Sequence, residues 1–265
     1  MIKKLLYLLA IVTLVQLSSC SKYQRLLKST DQAKKLEMAI KYYEKQDYYR
    51  ALQLFDDVII VYRGKEQAEK IQYYYAYCYY GQADYIVASY HFKNFAKIYP
   101  NSKYAEECLY MSAYCKYLDS PSFTLDQTST HEALKELQLF INFYPKSQRV
   151  AEANKLIDDL RLKLTNKAFE IARLYYKTES YNAAKIAFTN ILKDFPETSK
   201  REEIMYYIIK SDYNYAKRSI DSKKQERYKS VIEAYNNLIS TYPQTKFKKE
   251  AEDYYKLALS NIENK

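Results

Sequence analysis

The stretch between Phe169 and Pro196, FEIARLYYKTESYNAAKIAFTNILKDFP, constrains the fold more than any other. Two runs with helical spacing meet at Thr178–Tyr181, which predicts two antiparallel helices joined by a short turn. Ala172 and Ala184 stand where the helices must approach each other closely, and Pro196 closes the unit because proline cannot continue a helix. One hairpin cannot bury its own apolar face, so the sequence predicts neighbours stacked on it.

The same spacing recurs along the chain. If Ala172 is position eight of a 34-residue unit, Ala184 falls at position twenty and Pro196 at thirty-two, which resembles the tetratricopeptide repeat. Matching residues are Ala39, Ala51 and Phe55 in the first unit; Ala76, Ala88, Phe92 and Pro100 in the second; Ala113, Ala133, Phe140 and Pro145 in the third; and Ile209, Val231, Leu238 and Pro243 in the fifth. The expected fold is all-α, an α-solenoid of about five helical hairpins with a C-terminal capping helix near residues 248–262.

Several irregularities divide this array. Residues 119–130, DSPSFTLDQTST, hold eight extra residues and predict a loop. Residues 148–177 contain neither glycine nor proline, so one long helix can absorb a second insertion. We therefore expect a first sub-array of units one to three at residues 32–147. A second, at residues 148–265, would contain the long connecting helix, units four and five, and the cap.

The phrases that close the units are nearly identical: IYPNSKYAEE, FYPKSQRVAE, DFPETSKREE and TYPQTKFKKEAE. A serine or threonine stands two residues after each proline, where we expect it to cap the next helix. The first unit lacks this proline and has Arg63 instead.

The N-terminal stretch MIKKLLYLLAIVTLVQLSSC has the order of a signal peptide: lysines, a short apolar run, then small residues. Leu17-Ser18-Ser19-Cys20 resembles a bacterial lipobox. We expect residues 1–19 to be removed, Cys20 to carry the lipid, and residues 20–31 to form a tether. The missing aspartate after Cys20 suits delivery to the outer membrane, on its periplasmic face. An ordinary secretory signal or an anchor helix is the alternative.

Composition argues against an enzyme. Two glycines in 265 residues leave no glycine-rich phosphate loop, and two histidines on separate repeats support no nucleophilic triad. We expect no catalytic residues, no cofactor and no metal. The net charge of +10 is interleaved along helices, so we expect solvated helix faces and no nucleic-acid partner. Cys78, Cys108 and Cys115 fit no zinc spacing and are expected to be buried and unpaired.

The thirty-three tyrosines of the chain suggest an interaction surface. In this repeat class the concave groove is lined by positions two, five, nine, twelve and thirteen of the first helix of each hairpin. The tyrosines at these positions in units one to three are Tyr43, Tyr73, Tyr77, Tyr80, Tyr110, Tyr114 and Tyr117. They would suit an extended or helical segment carrying aromatic residues. Packing against neighbouring helices, with a tyrosine excess of compositional origin, is the alternative.

The lipobox, the five units, the YPxS/T phrases and the long helix together resemble the BamD (YfiO) family. The most specific parts are FINFYPKSQRVAEA and LRLKLTNKAFEIARLYYKTESYNAAKIAFTNILKDFPET, with the loop DSPSFTLDQ. The resemblance implies a non-enzymatic lipoprotein scaffold of the outer-membrane β-barrel assembly machinery. It implies partners too: the central barrel-assembly protein, other assembly lipoproteins, and targeting signals of unfolded barrel proteins. Another periplasmic tetratricopeptide lipoprotein, acting in cell-envelope or peptidoglycan coordination, is the alternative.

Overall fold

The computed structural model describes residues 22–263, and within that range helices joined by turns and short loops are the regular structure, with no strand. The expected all-α fold is confirmed. The helices are α1 (22–27), α2 (Gln32–Glu44), α3 (Tyr48–Val61), α4 (Ala68–Gly81), α5 (Tyr85–Ile98), α6 (Ala105–Asp119), α7 (Thr128–Phe143), α8 (Val150–Lys177), α9 (Tyr181–Asp194), α10 (Arg201–Lys217), α11 (Asp221–Thr241) and α12 (Lys248–Glu263). From α2 to α11 they pair as five hairpins, and α12 follows the last one.

Contacts divide the described chain into two compact units. The N-terminal unit holds the residues up to Ser120 together with Thr128–Asn154, and the C-terminal unit holds Pro121–Gln127 and everything from Lys155 onward. This division falls inside α8, a few residues beyond the boundary expected at residues 147/148. The eight-residue insertion is shorter as a loop than expected, because α6 continues to Asp119 and α7 already begins at Thr128.

Buried alanines stand at the crossing point of each of the first four hairpins. Ala39, Ala76, Ala113 and Ala172 on the first helices, and Ala51, Ala88, Ala133 and Ala184 on the second, are all fully buried. A fully buried phenylalanine lies beside each crossing: Phe55, Phe92, Phe140 and Phe188. Alanine lets the helix axes approach, and each ring removes enough apolar surface from water to contribute about 2–3 kcal/mol. The small-plus-aromatic pattern therefore lies at the core of each of these four hairpins.

One turn geometry joins the end of each hairpin to the next helix. After α5, Ser102 N donates to Tyr99 O at 3.0 Å, and Ala105 N donates to Ser102 O at 3.0 Å. Pro100 is the second residue of the first turn, where its fixed φ is favourable. The same pair of backbone bonds recurs at Ser147, Thr198 and Thr245.

The serine or threonine two residues after the proline was expected to cap the next helix, and its hydroxyl has a different role. Ser102 Oγ accepts from Tyr104 N at 3.0 Å, inside the turn, and Tyr104 is itself the N-cap of α6. The prediction that Ser102 caps α6 is therefore wrong; α10 shows the same, since its N-cap is Lys200. The serine hydroxyls bind within their own hairpin instead: Ser147 Oγ donates to Glu106 Oε1 at 2.6 Å, tying the end of the hairpin to its start.

The first hairpin makes the same turn without proline. Lys65 N donates to Tyr62 O at 3.0 Å, and Ala68 N donates to Lys65 O at 3.0 Å. Gly64 has φ +78°, a left-handed conformation that glycine adopts without a steric penalty. The missing proline therefore leaves the junction unchanged, because a glycine at the next position supports the turn by another route.

Gly81, at the end of α4, has a different role. A Cβ added there would lie 2.3 Å from two ring atoms of Tyr48, the first residue of α3. Only a residue without a side chain lets the Tyr48 ring lie flat against this helix end.

We predict that Gly81→Ala lowers the free energy of unfolding by about 1–3 kcal/mol, the usual range for inserting a methyl into a filled site. In a double-mutant cycle, Tyr48→Ala should cost less in the Gly81→Ala background than in the wild type, because the clash is then removed. Urea unfolding followed by circular dichroism measures both effects. Additive effects of the two substitutions would contradict the proposed contact.

Candidate interaction surface

The seven tyrosines predicted to line a groove lie on the first helices of three consecutive hairpins, all in the N-terminal unit. Tyr43 is on α2; Tyr73, Tyr77 and Tyr80 are on α4; and Tyr110, Tyr114 and Tyr117 are on α6. Spacings of three and four residues place the members of each helix on one face. Six of them are half-buried, and Tyr110 is buried.

Tyr73 and Tyr77 share one carboxylate across the helix interface. Tyr73 Oη donates to Glu107 Oε2 at 3.1 Å, and Tyr77 Oη donates to Glu107 Oε1 at 2.8 Å. Their rings lie 4.8 Å apart. Burial, and then the hydrogen bond to Glu107, raise the pKa of Tyr77 above its ordinary value. Both phenol groups therefore keep their protons and are hydrogen-bonded to Glu107 within the protein.

Arg149 extends this network to the start of α8. Its Nη2 lies 3.7 Å from Glu107 Oε1, and its guanidinium lies 4.8 Å from the centre of the Tyr110 ring. Tyr110 also packs against Phe140 at 5.3 Å between ring centres. With only 2% of its surface exposed, Tyr110 belongs to the core, as the packing alternative expects.

Tyr114 and Tyr117 continue from Tyr110 as a ladder of nearly parallel rings. Successive centres are 6.0 Å apart, and the ring planes are inclined by 11° and 14°. Tyr80, on α4, faces this ladder: burial raises its pKa, and the nearby Tyr114 phenol raises it further. The ring centre of Tyr43 lies 4.5 Å from that of Tyr74, also on α4. The six half-buried tyrosines, here called the tyrosine surface, thus run across α2, α4 and α6.

The phenol groups of the tyrosine surface differ in what they offer a ligand. Tyr73 and Tyr77 are satisfied by Glu107. Among the described residues, no hydrogen-bond partner faces the hydroxyls of Tyr43, Tyr80 or Tyr114. A partner can therefore bind these three hydroxyls without breaking an existing bond.

The C-terminal unit carries a second aromatic cluster, which the sequence analysis missed. The ammonium of Lys210 lies 5.1, 5.2 and 5.0 Å from the ring centres of Tyr176, Tyr206 and Tyr207. Burial lowers the pKa of Lys210, and the rings stabilise its charge by cation–π interaction. Three of these residues, Tyr176, Tyr206 and Lys210, occupy positions twelve, five and nine of their units. The register applied to units one to three would have found them.

The cysteines behave as expected. Cys78, Cys108 and Cys115 are free and buried. Burial raises the pKa of Cys78 and of Cys115 to about 12, so these thiols are poor nucleophiles. Over residues 22–263 no group of three or more His, Cys, Asp or Glu side chains is arranged to hold a metal ion. Within the same range no helix combines the length and the apolar character needed to cross a bilayer.

Comparison with known families decides the relationship of this chain. Residues 28–229, which run from just before α2 into α11, match the family described as "YfiO: Outer membrane lipoprotein". The chain belongs to this family. The family relationship that the sequence predicted is thereby confirmed, and association with the outer membrane follows from it.

Solved structures similar to this member of the YfiO family are repeat proteins. The TPR2AB-domain:pHSP90-complex of yeast Sti1 shows 12% identity over 86% of this chain and 98% of that one, with a TM-score of 0.41. Two structures of a candidate kinesin light chain from Podosopora anserina, with nearly identical TPR-like repeats, show 12% identity and a TM-score of 0.33; each covers 80% of this chain and 96% or 97% of the other. The comparison with curated proteins finds no match.

The burial of Tyr77, together with its hydrogen bond to Glu107, predicts a specific alkaline response. Above pH about 10 the unfolded chain loses phenol protons that the folded chain keeps at Tyr77, so stability falls as pH rises. Tyr77→Phe should remove up to about 1.4 kcal/mol of this loss per pH unit. Urea midpoints at pH 8 and pH 11 measure the slope. The exposed Tyr90→Phe is the matched control, and an equal slope change in both variants would contradict the assignment.

Proposed function

We propose that this protein is a non-enzymatic, periplasmic scaffold lipoprotein of the outer-membrane β-barrel assembly complex. It binds the central assembly protein and other assembly lipoproteins, and it receives targeting signals of unfolded barrel proteins. The observation that carries this proposal is the family match, which spans the first four hairpins and most of the fifth. A stacked-hairpin array supports a scaffold role, since such arrays present long surfaces to other polypeptides.

Attachment to the membrane is assigned to Cys20, which lies outside the described residues, as does the signal sequence. A diacylglyceryl thioether together with an N-acyl chain supplies the two or more anchoring signals that stable attachment requires. The lipid would hold the protein at the periplasmic face of the outer membrane.

Co-purification from detergent-solubilised outer membranes tests the proposed complex. We expect the tagged, lipidated protein to retain the barrel-assembly components, and Cys20→Ala to leave the membrane fraction because the variant is not acylated. Retention of Tol–Pal or cell-wall enzymes in place of barrel-assembly components would contradict the proposal and favour an envelope-coordinating lipoprotein. A mature wild-type protein whose Cys20 carries no diacylglyceryl thioether, as read by mass spectrometry, would contradict the lipid anchor.

The tyrosine surface is proposed as the place where aromatic-bearing targeting segments bind. Tyr80 and Tyr114 support this best, because their rings are partly exposed and their hydroxyls have no partner among the described residues. Ring stacking and phenol hydrogen bonds would both act on such a segment.

We predict that Tyr80→Ala combined with Tyr114→Ala weakens crosslinking to a C-terminal barrel-protein peptide by about fivefold or more, since each ring contributes about 0.5–1.5 kcal/mol. Tyr49→Ala combined with Tyr90→Ala is the matched control, because both residues are tyrosines more than 60% exposed on second helices. Equal crosslinking by the two double variants, at unchanged helicity, would contradict binding of the peptide at the tyrosine surface.

A further inference from the structure

Helix α1 is fixed to the first hairpin. Tyr23 has only 7% of its surface exposed, and its hydroxyl donates a bifurcated hydrogen bond to Arg50 O at 3.0 Å and Gln53 Oε1 at 2.9 Å, both on α3. Leu26 and Leu27 pack against the same core. The chain is therefore part of the packed N-terminal unit from its first described residues onward.

This packing brings the folded chain close to the proposed lipid anchor. Only Ser21 separates Cys20 from the start of α1, and two residues of chain span at most about 7 Å. The acyl chains on Cys20 would enter the bilayer, so α1 and the residues beside it would lie at the surface of that leaflet.

A concavity of about 400 Å³ lies between α1 and α2, entirely within the N-terminal unit. Part of its lining is apolar and part is basic. We call it the α1 pocket and define it by six of the residues that line it: Leu26, Met38 and Tyr42, which are apolar or aromatic, and Lys22, Arg25 and Lys34. Such a lining suits a ligand that joins an anionic group to an apolar one.

The lysines at the α1 pocket have no carboxylate to neutralise them. Lys22 and Lys34, and Lys28 in the turn between α1 and α2, are exposed, and none has an ion-pair partner among residues 22–263. Asp31 is the only acidic residue between positions 22 and 34. Its Oδ1 accepts from Lys34 N at 2.9 Å, because Asp31 is the N-cap of α2. The positive charge here is therefore available to a ligand.

Three other cations of the first hairpin are used inside the protein. Each lies 2.6 or 2.9 Å from a carboxylate oxygen, in the pairs Lys35–Asp57, Lys41–Glu37 and Arg50–Asp47. The lysines nearest the proposed anchor differ from these. Exposed, unpaired positive charge beside a lipid anchor favours contact with an anionic membrane surface.

We propose that the α1 pocket binds an anionic glycerophospholipid of the leaflet that holds the acyl chains of Cys20. The phosphate group contacts the ammonium groups of Lys22 and Lys34, and the glycerol and the first methylene groups contact Leu26 and Met38. The occupant is a membrane lipid because the anchor keeps the pocket at the leaflet, where headgroups are present at a high effective concentration. The acyl groups of Cys20 itself fit the lysines less well, since a diacylglyceryl thioether carries no negative charge. This inference rests on the lipid anchor proposed above and gives the protein a second contact with the membrane.

Photocrosslinking in vesicles tests the α1 pocket in the complete, lipidated protein. The protein carries p-benzoylphenylalanine in place of Met38 and is reconstituted in equal amounts of phosphatidylglycerol and phosphatidylcholine. We expect mass spectrometry to show a product heavier by one phosphatidylglycerol, at a higher yield than the phosphatidylcholine product. Lys22→Glu combined with Lys34→Glu should lower the phosphatidylglycerol yield about tenfold or more, because each lysine beside an anionic surface is worth about a factor of five in binding.

The matched control is Lys45→Glu combined with Lys97→Glu, which changes the net charge by the same amount. Both lysines are exposed and have no ion-pair partner among the described residues. Lys45 follows the far end of α2, about 16 Å along the helix from Lys34 at about 1.5 Å per residue, and Lys97 is on α5. We expect this variant to keep the wild-type yield. Unchanged circular dichroism of both double variants excludes a folding defect.

Four results would overturn the proposal: equal or absent yields of the two phospholipid products, a crosslink to the acyl groups of Cys20, a crosslink to a second copy of this chain, or equal losses in the two double variants. If the purified protein carries the diacylglyceryl thioether in any of these cases, only the α1 pocket is rejected and the lipid anchor stands. If its mass shows no thioether, the anchor and the pocket fail together.

Discussion

The close approach of helices at buried alanines is the interaction on which the rest of this structure depends. Eight such alanines, two in each of the first four hairpins, have no exposed surface, and a phenylalanine fills the space beside each pair. A larger side chain at a crossing point would separate the two helices and also the neighbours stacked on them. Within each compact unit neighbouring hairpins share apolar faces, so stability belongs to the stack more than to any single hairpin.

The helices themselves were predictable from the sequence because periodicity and proline act locally. The long α8 followed from a stretch without glycine or proline, and the alanine register located the hairpins. The role of Ser102 was not predictable, since a hydroxyl two residues after a proline can bond the backbone either within a turn or at a helix start. Gly64 was missed for a related reason: a positive-φ glycine can replace the proline by a different conformation.

The candidate surface was only partly predictable. Helical spacing places Tyr73 and Tyr77 on one face of α4, and their ring centres lie 4.8 Å apart. Spacing does not reveal that Glu107 accepts hydrogen bonds from the Tyr73 and Tyr77 hydroxyls. Nor does it reveal that Phe140 and Arg149 pack against the Tyr110 ring. The hydrogen bonds of Glu107 join α6 to α4 of the preceding hairpin, so they depend on how the hairpins stack, whereas Phe140 reaches Tyr110 from α7 of the same hairpin.

Hydrogen exchange on Ala88→Leu, read by mass spectrometry, tests the dependence of each hairpin on its neighbours most directly. Ala88 is fully buried at the crossing of α4 and α5. The account predicts that amide protection falls together in α4, α5 and α6, because the substitution separates helices that stabilise one another. Loss of protection confined to α5, with α4 and α6 as protected as in the wild type, would contradict it.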